Sequence, residues 1–271
     1  MVPLVEPEYF ARILGGAIDA LYEQDLQVVL ASTLHLRDRA VTQLARLTNG
    51  TTDGAVLILP EESSEELRML AESGYPLVVI DPLARTDEIV STVSATNALG
   101  GRTATEHLLS LGHRRIGVIT GVRDWLASVE RLSGHNAALA SAGVPLDPAL
   151  VVESDWAIEG GETAADALLA LPEPPSAIFA FNDNMAVGAL RAAQARGLRV
   201  PEDLSLVGFD DSEQASTVTP ALTTIRQPLA EMGRMAVSLL LRQLENQRVE
   251  ALRIELQTRL VVRESTATRS G

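Results

Sequence analysis

Short, continuously apolar runs alternate along the chain with longer segments in which apolar residues recur every three or four positions. The runs "QVVLAS" (27–32), "GAVLILP" (54–60), "PLVVID" (76–81), "RIGVITG" (115–121), "SAIFAF" (176–181) and "LSLVGFD" (204–210) show no polar alternation. Strands of that kind are covered on both faces, the habit of parallel sheets wrapped by helices. From Phe10, apolar side chains follow at Ile13, Leu14, Ala17, Ile18 and Leu21, a helical period of about 3.6. Segments 99–111, 128–142, 160–171, 184–196 and 228–244 repeat that period. The alternation predicts an α/β fold of doubly wound parallel sheets with right-handed crossovers.

Glycine and proline fall where helices should stop: "SGYP" (73–76), "LGH" (111–113), "AGVPLDP" (142–148) and "RGLRVPEDLS" (196–205). No low-complexity tether interrupts the pattern, so two lobes would be joined by short strand-like crossings. A length of 271 residues, 46% of them hydrophobic, suits one large α/β unit or two ordinary domains. With 22 basic and 36 acidic residues the formal charge is −14, which argues against this chain gripping nucleic-acid phosphates by itself. The absence of cysteine excludes disulfides, thiolate metal sites and thiol nucleophiles. The start "MVPLVEPEYFARILGG" has neither a basic segment nor the apolar core of a secretory signal, and no run of about 18 apolar residues occurs. The expected location is the cytoplasm, away from the membrane.

Ligands of open α/β sheets sit beyond the carboxyl ends of strands, so the residues following each apolar run are the place to look for chemistry. There lie Asp81, "VRDWLAS", "DWAIEGG", Asn182 with Asp183, and Asp210 with Asp211. The two tryptophans, Trp125 and Trp156, both fall in such turns, each directly after an aspartate. Carboxylates accept hydroxyl hydrogens, guanidinium donates in a fork, and indole covers the C–H face of a sugar ring. Spacing alone favours simpler roles: Asp183 as the cap of the helix it opens, Asp211 as a cap or turn former, the tryptophans as cover for a lobe edge.

Catalytic signatures are scarce. No phosphate-binding P-loop, HExxH, GxSxG or calcium-loop spacing is present, and "NALGGRTATEH" does not fit the dinucleotide pattern. His35, His107, His113 and His135 are scattered, without metal-ligand spacing, and His107 and His113 read as partly exposed side chains favoured by a helix end. The adjacent Asp210 and Asp211 rarely could face each other across a scissile bond. The expectation is a binding protein, not an enzyme, with no metal and no cofactor.

Several long blocks carry a specific likeness. "NALGGRTATEHLLSLGHRRIGVITG" (97–121), "RLSGHNAAL" (131–139), "SAIFAFNDNMAVGALRAAQARGLRVPEDLSLVGFDD" (176–211) and "PALTTIRQPLAEMGRMAVSLLL" (220–241) resemble the regulatory domain of the lactose-repressor (LacI/GalR) family of bacterial transcription regulators. The resemblance implies a type I periplasmic-binding-protein-like fold, two Rossmann-like lobes joined by a three-crossing hinge. The lobes would be 1–98 plus 226–256 and 99–225 plus 257–271, with crossings near 97–99, 224–227 and 256–258. It implies a small effector in the cleft, a sugar favoured and a purine or nucleoside the other class, together with a homodimer and control of operator DNA through a helix-turn-helix headpiece.

Carried over by residue, the resemblance places Tyr9 and Phe10 of "EYFARI" in the ligand site, with Arg131 as the effector-binding arginine and Ser133 beside it. Trp156 would be the stacking ring, Trp125 part of a lining loop, Asp183 the ligand-fixing carboxylate and Gln227 a crossing residue facing the ligand. On this reading Asp183 caps its helix and also offers an oxygen to the ligand. Two departures stand out: no headpiece precedes the first regulatory helix, and only "MV" stands before Pro3 where the first strand should run. That loss should expose neighbouring backbone and apolar surface, as expected of a trimmed piece of a repressor more than of a regulator that has lost DNA binding. A transport-type extracytoplasmic sugar-binding protein is the rival reading. It would carry a signal and be monomeric.

Overall fold

The computed structural model describes residues 1–5, 7–22, 24, 26–245 and 252–269. In chain order the first elements are α1 (Glu8–Tyr22), α2 (Arg37–Arg46), β1 (Ala55–Ile58), α3 (Ser64–Glu72), β2 (Leu77–Ile80) and β3 (Ser91–Ala95). After them come α4 (Asn97–Ser110), β4 (Ile116–Thr120), α5 (Leu126–Ser141), β5 (Val151–Glu153), α6 (Ile158–Leu169), β6 (Ala177–Ala180) and α7 (Asp183–Ala195). The chain continues through β7 (Ser205–Asp210), α8 (Glu213–Thr217), β8 (Thr223–Arg226), α9 (Leu229–Leu244), β9 (Arg253–Leu256) and β10 (Arg259–Val261). Two compact units result: Met1–Ala95 with Pro228–Gln257, and Thr96–Gln227 with Thr258–Gly271. The chain therefore changes unit three times.

The first unit holds a parallel sheet in the order β1-β2-β3-β9, registered by Val56 opposite Val78 and Val93 opposite Ile254. β2 is buried along its whole length, and Val78, Ile80 and Val93 meet Phe10, Ile13, Met232 and Ala236 of α1 and α9. α2 and α3 are absent from the apolar pattern of the sequence because each buries so little: only Ala40 in one and Leu67 in the other. Local chemistry starts α3 instead, through a capping box in which Ser63 and Glu66 satisfy each other's backbone N–H groups.

The segment "QVVLAS" is not the buried strand its composition predicts. Val28, Val29 and Leu30 are 46%, 56% and 49% exposed, and among the described residues the segment is paired only at its end, by an isolated bridge between Val2 and Ser32. Only Met1–Pro3 runs alongside it, and Pro3 has no amide hydrogen to donate. Those three residues do occupy the first-strand position. Val2 N–H donates to Ala31 O and Thr33 N–H to Val2 O, both at 3.0 Å, while Ile58 N–H donates to Met1 O at 3.0 Å. Val2 is 1% exposed, so the expected gap beside β1 is filled.

The second unit carries six strands in the order β10-β8-β7-β6-β4-β5, all parallel except β10 against β8. Val118, Phe179, Val207 and Thr223 stand in one register across β4, β6, β7 and β8. Phe179, Phe181 and Phe209 are fully buried there among Ile119, Leu168 and Met185. The polar edge is closed by 263–269. His113 bonds Ser176 Oγ at 2.9 Å through Nδ1, and Ser205 Oγ and Ala267 O at 3.1 Å through Nε2. This histidine is buried, contrary to the exposed role its helix-end position suggests, and burial lowers its pKa and that of His107. The cause is the terminal segment folding over both.

His135 of α5 gives the unit a pH dependence. The Thr105 hydroxyl donates to Gly101 O, so it accepts from His135 Nδ1–H at 2.8 Å. Burial drives the imidazole pKa down to about 4. A base whose folded pKa lies below its unfolded value contributes stability that is complete above about pH 6.5 and lost as pH falls towards 4. The loss amounts to roughly 3 kcal/mol. Melting curves between pH 7 and 4 should show it for the wild type, with a flatter slope for His135→Asn; equal slopes would refute the assignment.

Candidate functional site

Residues other than glycine with left-handed backbones gather where strands end. Leu59 (φ 48°) follows β1, Asp81 (46°) follows β2, Trp156 (70°) lies just beyond β5, and Asp210 (111°) and Asp211 (59°) finish β7. Such conformations cost of order 1–3 kcal/mol each and persist where a site needs side chains aimed in a particular way. In the second unit they surround a connected set of polar groups.

Arg131, on α5, is its centre and is 4% exposed. Its Nε donates to Asn97 Oδ1 at 2.9 Å, and Nη1 donates to the Phe181 carbonyl. The guanidinium carbon lies 3.7 Å from the Phe209 ring centroid and 5.8 Å from that of Trp156. Trp156 stacks on Trp125 with centroids 5.7 Å apart and an interplanar angle of 25°. The close packing of Trp156 requires glycine at 121, where a Cβ would stand 1.9 Å from an indole carbon. Asn182 Nδ2 fixes the Trp156 backbone by donating to its carbonyl at 2.9 Å. The Trp156 Nε1–H is buried and meets no protein acceptor.

The carboxylates divide the labour differently from the sequence expectation. The cap of α7 is Asn182, whose Oδ1 accepts from Met185 N–H at 2.8 Å. Asp183 is fully enclosed: Oδ2 accepts from Ser212 N–H at 2.7 Å and Oδ1 from the Thr224 hydroxyl at 2.6 Å. It therefore neither caps the helix nor presents an oxygen outward. Gly208 makes the room, since a Cβ there would lie 2.2 Å from Asp183 Oδ1. Asp211 is likewise no cap. Its two oxygens take Arg226 Nε and Arg263 Nη2, and although burial raises its pKa, those bonds outweigh it and hold the group below the usual range. Asp210 is half-buried, and its Oδ1 accepts from Gln227 Nε2 at 2.6 Å. Gln227 is 1% exposed, and its Oε1 has no protein partner.

In the first unit, Tyr9 donates its hydroxyl to Asp81 Oδ2 at the end of β2. Phe10 packs edge-on against Tyr9 but is 6% exposed and belongs to the apolar core. Among the described residues no three His, Asp or Glu side chains come together as a metal site, and no helix is long and apolar enough to cross a membrane.

Residues 105–266 match the model of the periplasmic binding protein-like domain. The regulator CelR of Thermobifida fusca is 38% identical over 96% of this chain and 76% of its own length. The ribose operon repressor of Haemophilus influenzae is 35% identical over 98% and 79%. The chain belongs to the LacI/GalR family of transcriptional regulators. Among solved structures, a CelR–cellobiose complex superposes with a TM-score of 0.89 over 95% of this chain and 79% of that one. A LacI family regulator from Mycobacterium smegmatis, 34% identical, gives 0.88 over 99% and 98%.

As the effector-binding domain of a LacI/GalR regulator, the chain joins Arg131, Trp156 and Trp125 in its second unit and pairs Gln227 with Asp210 at the end of β7. Ser133 is not joined to them: two positions beyond Arg131 it has turned to the exposed side of α5. Asn97 was not singled out by sequence reasoning, and Asn182 was noted only among the residues that follow a strand. Asp210 was noted after its strand and as half of an adjacent acid pair, and its separation from Asp211 depends on two left-handed residues in succession, which no local pattern announces.

Enclosure and the charge of Asp210 raise the Asp183 pKa. A carboxyl raised above its unfolded value near 3.8 contributes stability that is complete below that value and lost as pH rises through the folded one. Asp183→Asn should therefore fold, because the Thr224 hydroxyl can turn to accept from the amide. Its melting temperature should gain on the wild type as pH climbs from 4 to 9. A constant difference across that range would show Asp183 to be ionised throughout.

Proposed function

We propose that this domain binds a sugar at the strand ends of its second unit and thereby controls operator binding by a dimeric repressor. The observation that carries the reading is the assembly there of Arg131, half-buried Asp210 with Gln227, and the stacked pair Trp125 and Trp156. Hydroxyls suit the carboxylate and amide, and indole suits the C–H face of a sugar ring. The likeness to a regulator solved with cellobiose supports a sugar over a purine. The strand ends of the first unit, with Tyr9 on Asp81, offer polar groups of the same kind.

The relatives are regulators, which favours this reading over a transport protein. For the homodimer, the first unit displays a run of exposed apolar residues, Leu26, Val28, Val29, Leu30, Leu34 and Leu36, that a second copy would cover. Operator contact would run through a helix-turn-helix headpiece in the cytoplasm, since a net charge of −14 disfavours contact with phosphates by this domain itself.

A thermal-shift screen over cellobiose, other disaccharides, monosaccharides, nucleosides and purines tests the effector class. A ligand at about 100 times its dissociation constant adds roughly 2.7 kcal/mol, a rise of several degrees. A response to purines alone would overturn the sugar assignment, and a monomer by light scattering would overturn the dimer.

A further inference from the structure

The cations at the strand ends of the second unit are already committed. Arg226 and Arg263 occupy the two oxygens of Asp211, and Arg123 in the β4–α5 loop lies 3.6 Å from Glu153. Arg131 is engaged as well, and its fork is not whole. A phosphate is gripped by a pair of parallel N–H bonds along one edge of the guanidinium. Asn97 Oδ1 takes the Nε–H and Phe181 O takes Nη1, so both two-pronged edges are interrupted, while Phe209 covers a face of the group.

The neighbouring polar groups ask for hydrogen-bond donors as well as acceptors. Gln227 Oε1 is a buried acceptor without a protein partner, next to the carboxylate of Asp210, and Trp156 Nε1–H is a buried donor without one. A hydroxyl donates and accepts at the same atom and carries no charge. A phosphate dianion has no hydrogen for Gln227 and is repelled by Asp210.

We propose that the effector is an uncharged polyhydroxyl compound, that phosphate esters of it are refused, and that Asn97 is the positioning residue that enforces this by holding the Arg131 fork turned away from anions. This rests on the sugar reading above. Asn97 opens α4 directly after the first passage between units, and no ligand-binding pattern in the sequence marks it.

Calorimetric titration of wild type, Asn97→Ala and Asn97→Asp with each neutral sugar that responds in the screen, and with its phosphate ester, tests the idea; cellobiose and its 6-phosphate are the first pair. The wild type should prefer the neutral sugar by roughly 100-fold or more. Asn97→Ala should weaken the neutral sugar by about tenfold and strengthen the ester, because the Nε–H is released. Asn97→Asp keeps an acceptor for Nε but exchanges the amide donor to Glu130 Oε2, 3.4 Å away, for a second negative charge, so it should recover the neutral sugar in part and refuse the ester still more strongly. A wild type that takes the ester within tenfold of the sugar overturns the proposal alone, as do variants that shift both ligands in parallel. A wild type that binds no neutral sugar overturns the sugar reading and this proposal with it.

Discussion

Arg131→Met is expected to abolish the sugar-dependent rise in melting temperature while the protein still folds. The arginine is buried and charged, and it is held by Asn97, the Phe181 carbonyl and the Phe209 ring. If Arg131 holds the effector as proposed, truncating this buried, hydrogen-bonded charge costs about 2–5 kcal/mol of binding, a loss of roughly 30-fold or more. The unliganded protein loses less, about 1–3 kcal/mol, because Met fills much of the volume but leaves two acceptors without their donor. Arg131→Lys separates charge from geometry. It keeps the cation but cannot reach Asn97 through an Nε–H or lie flat on Phe209, so it should bind as poorly as Met. Lysine binding within tenfold of wild type would reduce Arg131 to a point charge and remove the argument from its fork.

How far the sequence discloses this site depends on what each residue is doing. Continuous apolar runs announced β1, β2, β4, β6 and β7, because burial on both faces leaves a compositional trace. β3, "STVSA", left none: its polar side chains are buried in the sheet, as Ser91 shows by accepting from Gln243 Nε2 at 3.2 Å. Trp156 drew notice by its place after a strand and by the family resemblance, Arg131 by the resemblance alone, and the fold sets the guanidinium carbon 5.8 Å from the indole centroid. Asp183 was misjudged because a helix-opening aspartate beside an asparagine looks like the cap, whereas backbone direction gives that role to Asn182 and turns the acid inward to Thr224. A one-residue displacement moves a side chain by about 100° on a helix and across the plane of a strand. Sequence reasoning finds such a neighbourhood readily, but telling the residue that caps the helix from the one that turns inward takes coordinates.

The glycines of "NALGGRTATEH" belong to the same lesson, and Gly134 gives the larger test. They do not cradle a phosphate; they let two helices touch. A Cβ at Gly134 of α5 would stand 1.9 Å from the Ala98 carbonyl oxygen, and one at Gly101 of α4 would stand 2.2 Å from the carbonyl oxygen of Arg131. Both obstacles are backbone, so no side chain can swing aside. Gly134→Ala should cost about 3 kcal/mol or more, despite the better helix propensity of alanine. Gly15 is the control. It sits within α1, a Cβ there would meet nothing inside 4 Å, and Gly15→Ala should gain roughly 0.5–1 kcal/mol. Forcing α4 from α5 also draws Asn97 away from Arg131, so Gly134→Ala should weaken sugar binding even where the protein remains folded. Equal, small effects of the two substitutions on denaturant midpoints would mean that the helices can separate freely, and that the Arg131 geometry does not depend on their contact.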